Sequence, residues 1–450
     1  MKKLLAVALG LALIAGLAFA CFGAGSATRK DAASGDYFYA LRPDGTAEIT
    51  GYRGKARELA LPAALDGHAV AAIGEGAFYH CDLLTAVTIP EGVSSIGSEA
   101  FSYCAALERV ALPASVTSVG VNPFRGSAAL ADIALPGDHP SLSLADGALI
   151  SRADRRLICL PCACPAEVFA VPQGVETIGD AAFFRCGNLK GVSIPEGVSS
   201  IGADAFSFCN QLAEVTIPPG VTAVSEAAFA YCTGLKSVIL PDGVSSIGKN
   251  AFAWCTALKE IALPAGLSSI GDSAFTHCGL RSALLPDSVS SLGDFAFASC
   301  ASLSVATVPG GVDRIGSHAF FWCPCLKDVV LSSGVSAIGD HAFAHCPALT
   351  DLALPDTAAS IEDYAFAWCG RLADAALPDG VLSIGNYAFA WCGKLATVTV
   401  PAAVSSIGDS AFEDSAKAVL FVDRGSYAAA YCDRLGLSFA FRDAPVEIAD

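Results

Sequence analysis

The chain has 450 residues, of which 53% are hydrophobic and only 16% charged, with a formal net charge of −17. That composition excludes an intrinsically disordered chain. The negative balance argues against nucleic-acid binding, which needs Lys and Arg gathered on one face, and against adsorption to anionic lipid.

Residues 1–20 read as a secretory signal. Lys2 and Lys3 precede an apolar run from Leu4 to Ala15, and Ala18-Phe19-Ala20 supplies a small-x-small cleavage site directly before Cys21. The run is too short for a membrane span. Cleavage just before a cysteine resembles a bacterial lipoprotein signal and makes Cys21 the lipidation candidate, although Ala18 stands where such signals usually carry Leu. The mature chain is expected to be secreted or at a bacterial cell surface, with membrane contact only through a lipid on Cys21. Residues 21–36 read as a flexible linker. The stretch 37–76 carries a hairpin signal at Asp44-Gly45.

From residue 77 a period governs the chain. Phenylalanine recurs at Phe78, Phe101 and Phe124, and again at Phe183, Phe206, Phe229, Phe252, Phe275, Phe297, Phe320, Phe343, Phe366, Phe389 and Phe412. The interval inside each block is 23 residues, except Phe275 to Phe297, where "CGLRS" at 278–282 has lost one residue. One unit is "LTAVTIPEGVSSIGSEAFSYCAA", 84–106. Val87 and Ile89 flank Thr88 in a short strand that Pro90 ends, because proline cannot donate to a ladder. Val93 and Ile96 point inward again, Gly97 permits a bend, and Ala100, Phe101 and Cys104 mark the buried side of a predicted short helical turn. The first block is 77–124 and the regular block 183–416. Between them, 125–182 loses the period, and two turn signals in "LADGALISRADRRLICLPCAC" predict an inserted hairpin. Residues 417–442 read as strand, helix, strand, and 443–450 as a tail.

Such a unit buries its apolar side only against neighbouring copies, so the chain is read as a solenoid with strands about 4.8 Å apart. The pattern Ile-Pro-x-x-Val-x-x-Ile-Gly-x-x-Ala-Phe-x-x-Cys-x-x-Leu resembles the BspA-type leucine-rich repeats of bacterial surface proteins, over nearly all of residues 37–440. The resemblance implies an α/β repeat solenoid: a leucine-rich-repeat-like stack of short parallel strands with short helical turns on the opposite face, an N-terminal hairpin cap, the inserted hairpin and a C-terminal cap. It also implies adhesion to host, matrix or cell-surface proteins or to other cells, and the chain is expected to be a monomer.

Twelve of the 18 cysteines lie three places after a repeat phenylalanine: Cys81, Cys104, Cys186, Cys209, Cys232, Cys255, Cys278, Cys300, Cys323, Cys346, Cys369 and Cys392. Stacked side chains that run parallel match disulfide torsions poorly, so these read as free core thiols. Cys159, Cys162 and Cys164 have a C-x-x-C-x-C spacing. A zinc site would need a partner such as His139, and packing beside the inserted hairpin is the reading preferred here.

No Ser-His-Asp spacing, phosphate-binding glycine loop or paired-carboxylate pattern is present, so no catalytic residue, enzyme activity or cofactor is expected. The strand-face column, Thr88, Ala111, Ala134, Ser193, Thr216, Ile239, Ala262, Leu284, Thr307, Val330, Ala353, Ala376 and Thr399, holds no acid, base or ring. The opposite face is different. Two places after ten of the fourteen phenylalanines stand His80, Tyr103, Phe208, Tyr231, Trp254, His277, Trp322, His345, Trp368 and Trp391, including all four tryptophans. Two places before, five late coils carry Phe295, His318, His341, Tyr364 and Tyr387. On a helical turn both places face solvent side by side. The ligand-binding candidates are therefore Trp254, Phe295, His318, Trp322, His341, His345, Tyr364, Trp368, Tyr387 and Trp391. They are read either as packing between coils or as a binding ridge for a protein or a glycan. His318, His341 and His345 have spacing suited to a transition metal, but with no acidic partner evident no metal is expected.

Overall fold

The computed structural model describes residues 31–415 and 417–442. The expected signal segment, Cys21 and the tail 443–450 lie outside these residues. About 17 turns of chain stack into a β-solenoid. The expected linker 21–36 contains strand β1, Ala32–Ser34, which pairs antiparallel with β2, Tyr37–Leu41; β2 in turn pairs with β3, Ala47–Tyr52, across Asp44-Gly45. Residues 32–34 are ordered because Ala32, Ala33 and Ser34 find backbone partners in Tyr39, Phe38 and Tyr37, which composition alone does not reveal.

Each regular coil has three sides. In residues 84–106 these are the strand Ala86–Thr88, the second strand Ser95–Ile96, and a run of consecutive turns through Ser102. Both strands form parallel ladders in register with the coils on either side, Val87 beside Val110 and Ile96 beside Val119. Val87, Ile89, Val93, Ile96, Ala100, Phe101, Cys104 and Leu107 fill the interior. The repeat phenylalanines stack in two runs, Phe78 to Phe124 and Phe183 to Phe412, with ring centroids 4.7 Å apart at Phe183–Phe206 and 5.7 Å at Phe389–Phe412. Gly97 answers a close approach: a Cβ there would lie 2.5 Å from the Glu75 nitrogen of the preceding coil.

The third side differs from the expected helical turns. Among the described residues the helix is α1, Tyr427–Leu435, in the C-terminal cap, with Ser426 accepting from the Ala429 N–H and Gly436 closing it in the left-handed conformation. In the coils the backbone bonds run between neighbours. The His341, Phe343 and His345 N–H groups donate to the Asp363, Ala365 and Ala367 carbonyls of the next coil, at 2.9, 2.8 and 2.9 Å. The alternate N–H groups of Ala342 and Ala344 fold back on the Gly339 and His341 carbonyls. This pattern needs left-handed residues two before and two after the phenylalanine, and His341 (φ 55°) and His345 (φ 59°) supply them. A right-handed helix admits neither.

The two irregular places have physical explanations. The 22-residue coil keeps its core ring stacked, Phe275 on Phe297 at 5.1 Å, and keeps the second ladder, Ser269 beside Ser291. The shortening falls on the other side: residues 259–262 form no strand, and the first ladder is interrupted between Ser237–Ile239 and Ser282–Leu284. In the insertion, Leu142–Ala145 and Ala148–Ser151 turn on Asp146-Gly147, both at positive φ, and Arg156–Cys159 returns to pair in parallel with Thr177–Ile178. The hairpin serves two cores. Leu149, Ile158 and Cys159 belong to the N-terminal one, and Ala148, Ile150 and Leu157 to the C-terminal one. On the turn side Arg125 spans the break, paired with Glu99 at 3.1 Å and Asp204 at 2.9 Å, its guanidinium 4.2 Å from the Phe184 ring centroid.

Candidate functional site

The ring positions form two columns on the turn side, raised on left-handed backbone. The left-handed conformation costs an ordinary L-residue about 1–2 kcal/mol, yet it recurs at Phe295, His318, Trp322, His341, His345, Tyr364, Trp368, Tyr387 and Trp391. The inter-coil hydrogen bonds hold it there. They also set the spacing between coils, and that spacing suits stacked rings.

The column two before the phenylalanine is a continuous stack. Phe295–His318, His318–His341, His341–Tyr364 and Tyr364–Tyr387 have centroids 4.4, 4.5, 4.4 and 4.7 Å apart, with planes within 17°. The column two after it stacks Trp322–His345 at 5.1 Å, His345–Trp368 at 4.3 Å and Trp368–Trp391 at 4.2 Å. The columns meet at their C-terminal end, where Tyr387 and Trp391 lie 5.5 Å apart. Trp254 belongs to an earlier stack between Tyr231 and His277, and Ser299 separates that stack from the later one. Most of these rings are half-buried, and Trp322 is the most open at 38%.

Two participants were not legible in the sequence. Phe321, one place after a repeat phenylalanine where other late coils carry Ala, wedges edge-on against His318, His341 and His345. Asp340 accepts or shares the proton of His341 Nδ1 at 2.8 Å. His318 and His341 are stacked neighbours, whereas His345 stands in the other column between Trp322 and Trp368, so the three histidines do not form one cluster. Burial holds the His318 imidazole down at about 4, with the neighbouring His341 adding to the effect, and it depresses His345 and His277 in the same direction. Burial raises the Tyr364 hydroxyl, and the Tyr387 hydroxyl beside it contributes. Asp294, Asp340 and Asp363 border the first column. Asp294 and Asp363 each accept a backbone N–H of the next coil, from Ser317 and Asn386, at 2.7 Å.

The cysteine column serves the interior. Eleven of its twelve members are buried and Cys81 is half-buried. Each thiol from Cys209 to Cys392 donates to the carbonyl of the preceding coil's phenylalanine, as in Cys232 to Phe206 at 3.0 Å. Burial pushes the thiols of Cys209, Cys232, Cys255, Cys300, Cys323, Cys346, Cys369 and Cys392 up, to about 12 for Cys232, so these are protonated and inert at neutral pH. Cys162 donates to the Phe184 carbonyl at 3.2 Å. His139 is buried apart from the cysteines in a satisfied network: its Nδ1 accepts from the Ser141 and Leu142 N–H groups, and its Nε2 donates to the Pro113 carbonyl.

The strand face is smooth. Ile239, Leu284 and Val330 stand on it with more than half of their surface in water. No helix among the described residues is long and apolar enough to cross a membrane.

Comparison with known proteins returns repeat proteins. The model of the BspA type leucine rich repeat region matches in 6 copies, over residues 67–144, 176–304, 223–350 and 290–419. A leucine-rich repeat protein from Bacteroides ovatus is 27% identical, the match covering 91% of this chain and 99% of that one, with a TM-score of 0.62. A leucine rich cell surface protein from Faecalibacterium prausnitzii is also 27% identical, covering 90% and 97%, with a TM-score of 0.45. No curated protein matches.

Proposed function

The chain belongs to the BspA-type leucine-rich repeat family, and from that premise we propose that it is a non-enzymatic extracellular binding protein that docks another protein on the ring columns of residues 295–391. The N-terminal charge, apolar run and Ala18-Phe19-Ala20 support export to the cell surface or beyond. One observation favours a protein partner over a glycan. Sugars stack on ring faces, and here the faces are already covered by the neighbouring rings at 4.2–4.7 Å through most of both columns. What the columns present to solvent is a row of ring edges, with open faces only at their ends. Edges and half-buried rings suit the apolar centre of a protein interface, where Trp and Tyr carry much of the binding energy. Asp294, Asp340 and Asp363 alongside favour a partner with Lys or Arg around that centre.

The test is a solid-phase binding panel of extracellular-matrix proteins run beside a glycan array, using purified residues 22–450. The reading expects a protein ligand whose binding weakens at least about tenfold in Trp322→Ala and falls with added salt. Val330→Ser on the strand face should leave that binding unchanged. Glycan hits without protein hits would overturn it, as would binding lost in Val330→Ser and kept in Trp322→Ala.

A further inference from the structure

The pairing of His318, His341 and Asp340 carries an inference independent of any protein partner. One nitrogen of each imidazole and one carboxylate oxygen of Asp340 lie within 4.8 Å of one another. His318 Nδ1 is buried and has no hydrogen-bond partner, which is uncommon for a polar atom out of water. His341 Nδ1 and Asp340 Oδ1 are 2.8 Å apart. That is about the separation of two adjacent donors around one ion with metal–ligand bonds of about 2.0–2.1 Å. Asp340 and His341 line a depression of about 590 Å³ together with Glu362, Asp363 and Asn386.

We propose that His318, His341 and Asp340 hold one divalent transition-metal ion on the turn side of the solenoid. Imidazole nitrogens with a carboxylate suit ions such as Ni²⁺, Co²⁺ or Zn²⁺. The ion takes the place of the proton between His341 Nδ1 and Asp340 Oδ1; that proton moves through solvent to His341 Nε2, so the ring stays a neutral imidazole, and the unpartnered nitrogen of His318 becomes a ligand of the ion. Two metal–nitrogen bonds on opposite sides of an ion span about 4 Å, so in that arrangement donors 4.8 Å apart close by about 0.8 Å, a movement that swings of the two rings supply. Three protein donors leave further coordination positions to water on the side of the depression. The stack limits the disturbance: His318 stays between Phe295 and His341, and His341 between His318 and Tyr364.

The experiment is calorimetric titration of tag-free, reduced residues 22–450 with Ni²⁺, repeated with Co²⁺ while recording its absorption spectrum. His318→Phe keeps a ring in the stack and removes the nitrogen. Asp340→Asn removes the charge. The proposal expects one ion per chain and a dissociation constant raised at least about tenfold in each variant. His345→Phe, in the other column, and Cys325→Ser, which removes the exposed thiol, should leave it unchanged. The Co²⁺ spectrum should lack the intense near-ultraviolet band of thiolate ligation. Near-ultraviolet circular dichroism checks that His318→Phe folds as the parent does. Three results would overturn the assignment: no saturable binding, binding unaffected by both His318→Phe and Asp340→Asn, or binding abolished in Cys325→Ser.

Discussion

Substitution of Cys232 separates two accounts of the thiol column. Cys232 is fully buried, and its Sγ donates to the Phe206 carbonyl at 3.0 Å. Were the column selected for small apolar bulk alone, Cys232→Ala would be mild and Cys232→Ser costly, since a hydroxyl taken into a dry core without a partner loses about 1–3 kcal/mol. The structure predicts the reverse order. At the same place in two other coils stand Ser127 and Ser415, and their hydroxyls donate to the Phe101 and Phe389 carbonyls at 2.7 Å. A serine at 232 therefore keeps the bond, and its net cost should stay below about 1 kcal/mol. Alanine forfeits that bond, worth about 0.5–1.5 kcal/mol, and leaves a sulfur-sized void, for a total of about 2 kcal/mol. Valine also loses the donor and strains a filled core by about 1–3 kcal/mol. Guanidinium unfolding under reducing conditions, followed by far-ultraviolet circular dichroism, ranks the variants by midpoint. The midpoint is the right observable because a repeat stack need not unfold in one step. A serine variant less stable than the alanine variant would refute the hydrogen-bond account.

Arg125→Met should lower stability by about 3 kcal/mol, because it strands the Glu99 and Asp204 carboxylates, which are 12% and 29% exposed, and it should bring forward proteolysis within 142–159. Urea midpoints and limited trypsin digestion check both effects. His277 stacks on Trp254 at 3.8 Å, and burial holds its imidazole below the usual value of 6.5. Below pH 6.5 the unfolded chain takes up a proton that the folded chain resists, so this residue's share of stability is present above 6.5 and is lost as pH falls toward the folded value. His277→Phe should accordingly lose less stability than the parent between pH 7.5 and pH 5, a difference read from paired unfolding midpoints.

Much of the architecture was legible because a short period leaves few choices. Val87, Ile89, Val93, Ile96, Ala100, Phe101 and Cys104 recur at fixed offsets, and only stacking in register buries them all. The turn side was legible in its outcome and not in its cause. The i, i+4 spacing of His341 and His345 suggests a helix, whereas the coil brings the same side chains outward through left-handed residues whose N–H groups bond across coils. No local propensity announces that conformation at Trp, Tyr or His, because tertiary hydrogen bonds impose it. The roles of Asp340 and Phe321 depend on neighbours 22 and 20 residues away, His318 and His341, and so were invisible to a reading taken one coil at a time. The second strand, Ser95–Ile96, is two residues long, below what alternation can signal, and exists because its equivalents lie beside it.

The early coils show what the fold itself requires of the ring positions. Glu99, Asp204, Ala227 and Asn250 occupy the place of His341 with the same left-handed backbone, and Glu99, Asp204, Ala227 and Asn250 each donate their N–H to the next coil as His341 does. The turn is thus built without rings, and the run from Phe295 to Tyr387 is an addition to it. This makes a clean separation of roles available in Tyr364→Asn. Asparagine already stands at 250 and tolerates the left-handed region better than most residues. The substitution gives up close stacking with His341 at 4.4 Å and Tyr387 at 4.7 Å, each worth about 0.5–1.5 kcal/mol, and a looser contact with Trp368 at 6.2 Å, and recovers part of that in backbone preference, for a net loss of about 1 kcal/mol. The folded chain should keep its far-ultraviolet spectrum and lose a few degrees of thermal midpoint, while the affinity of any protein docked on the columns falls much further. Equal proportional losses in stability and affinity would mean that the rings serve the stack, and would remove the reason to look for a partner on this side of the molecule.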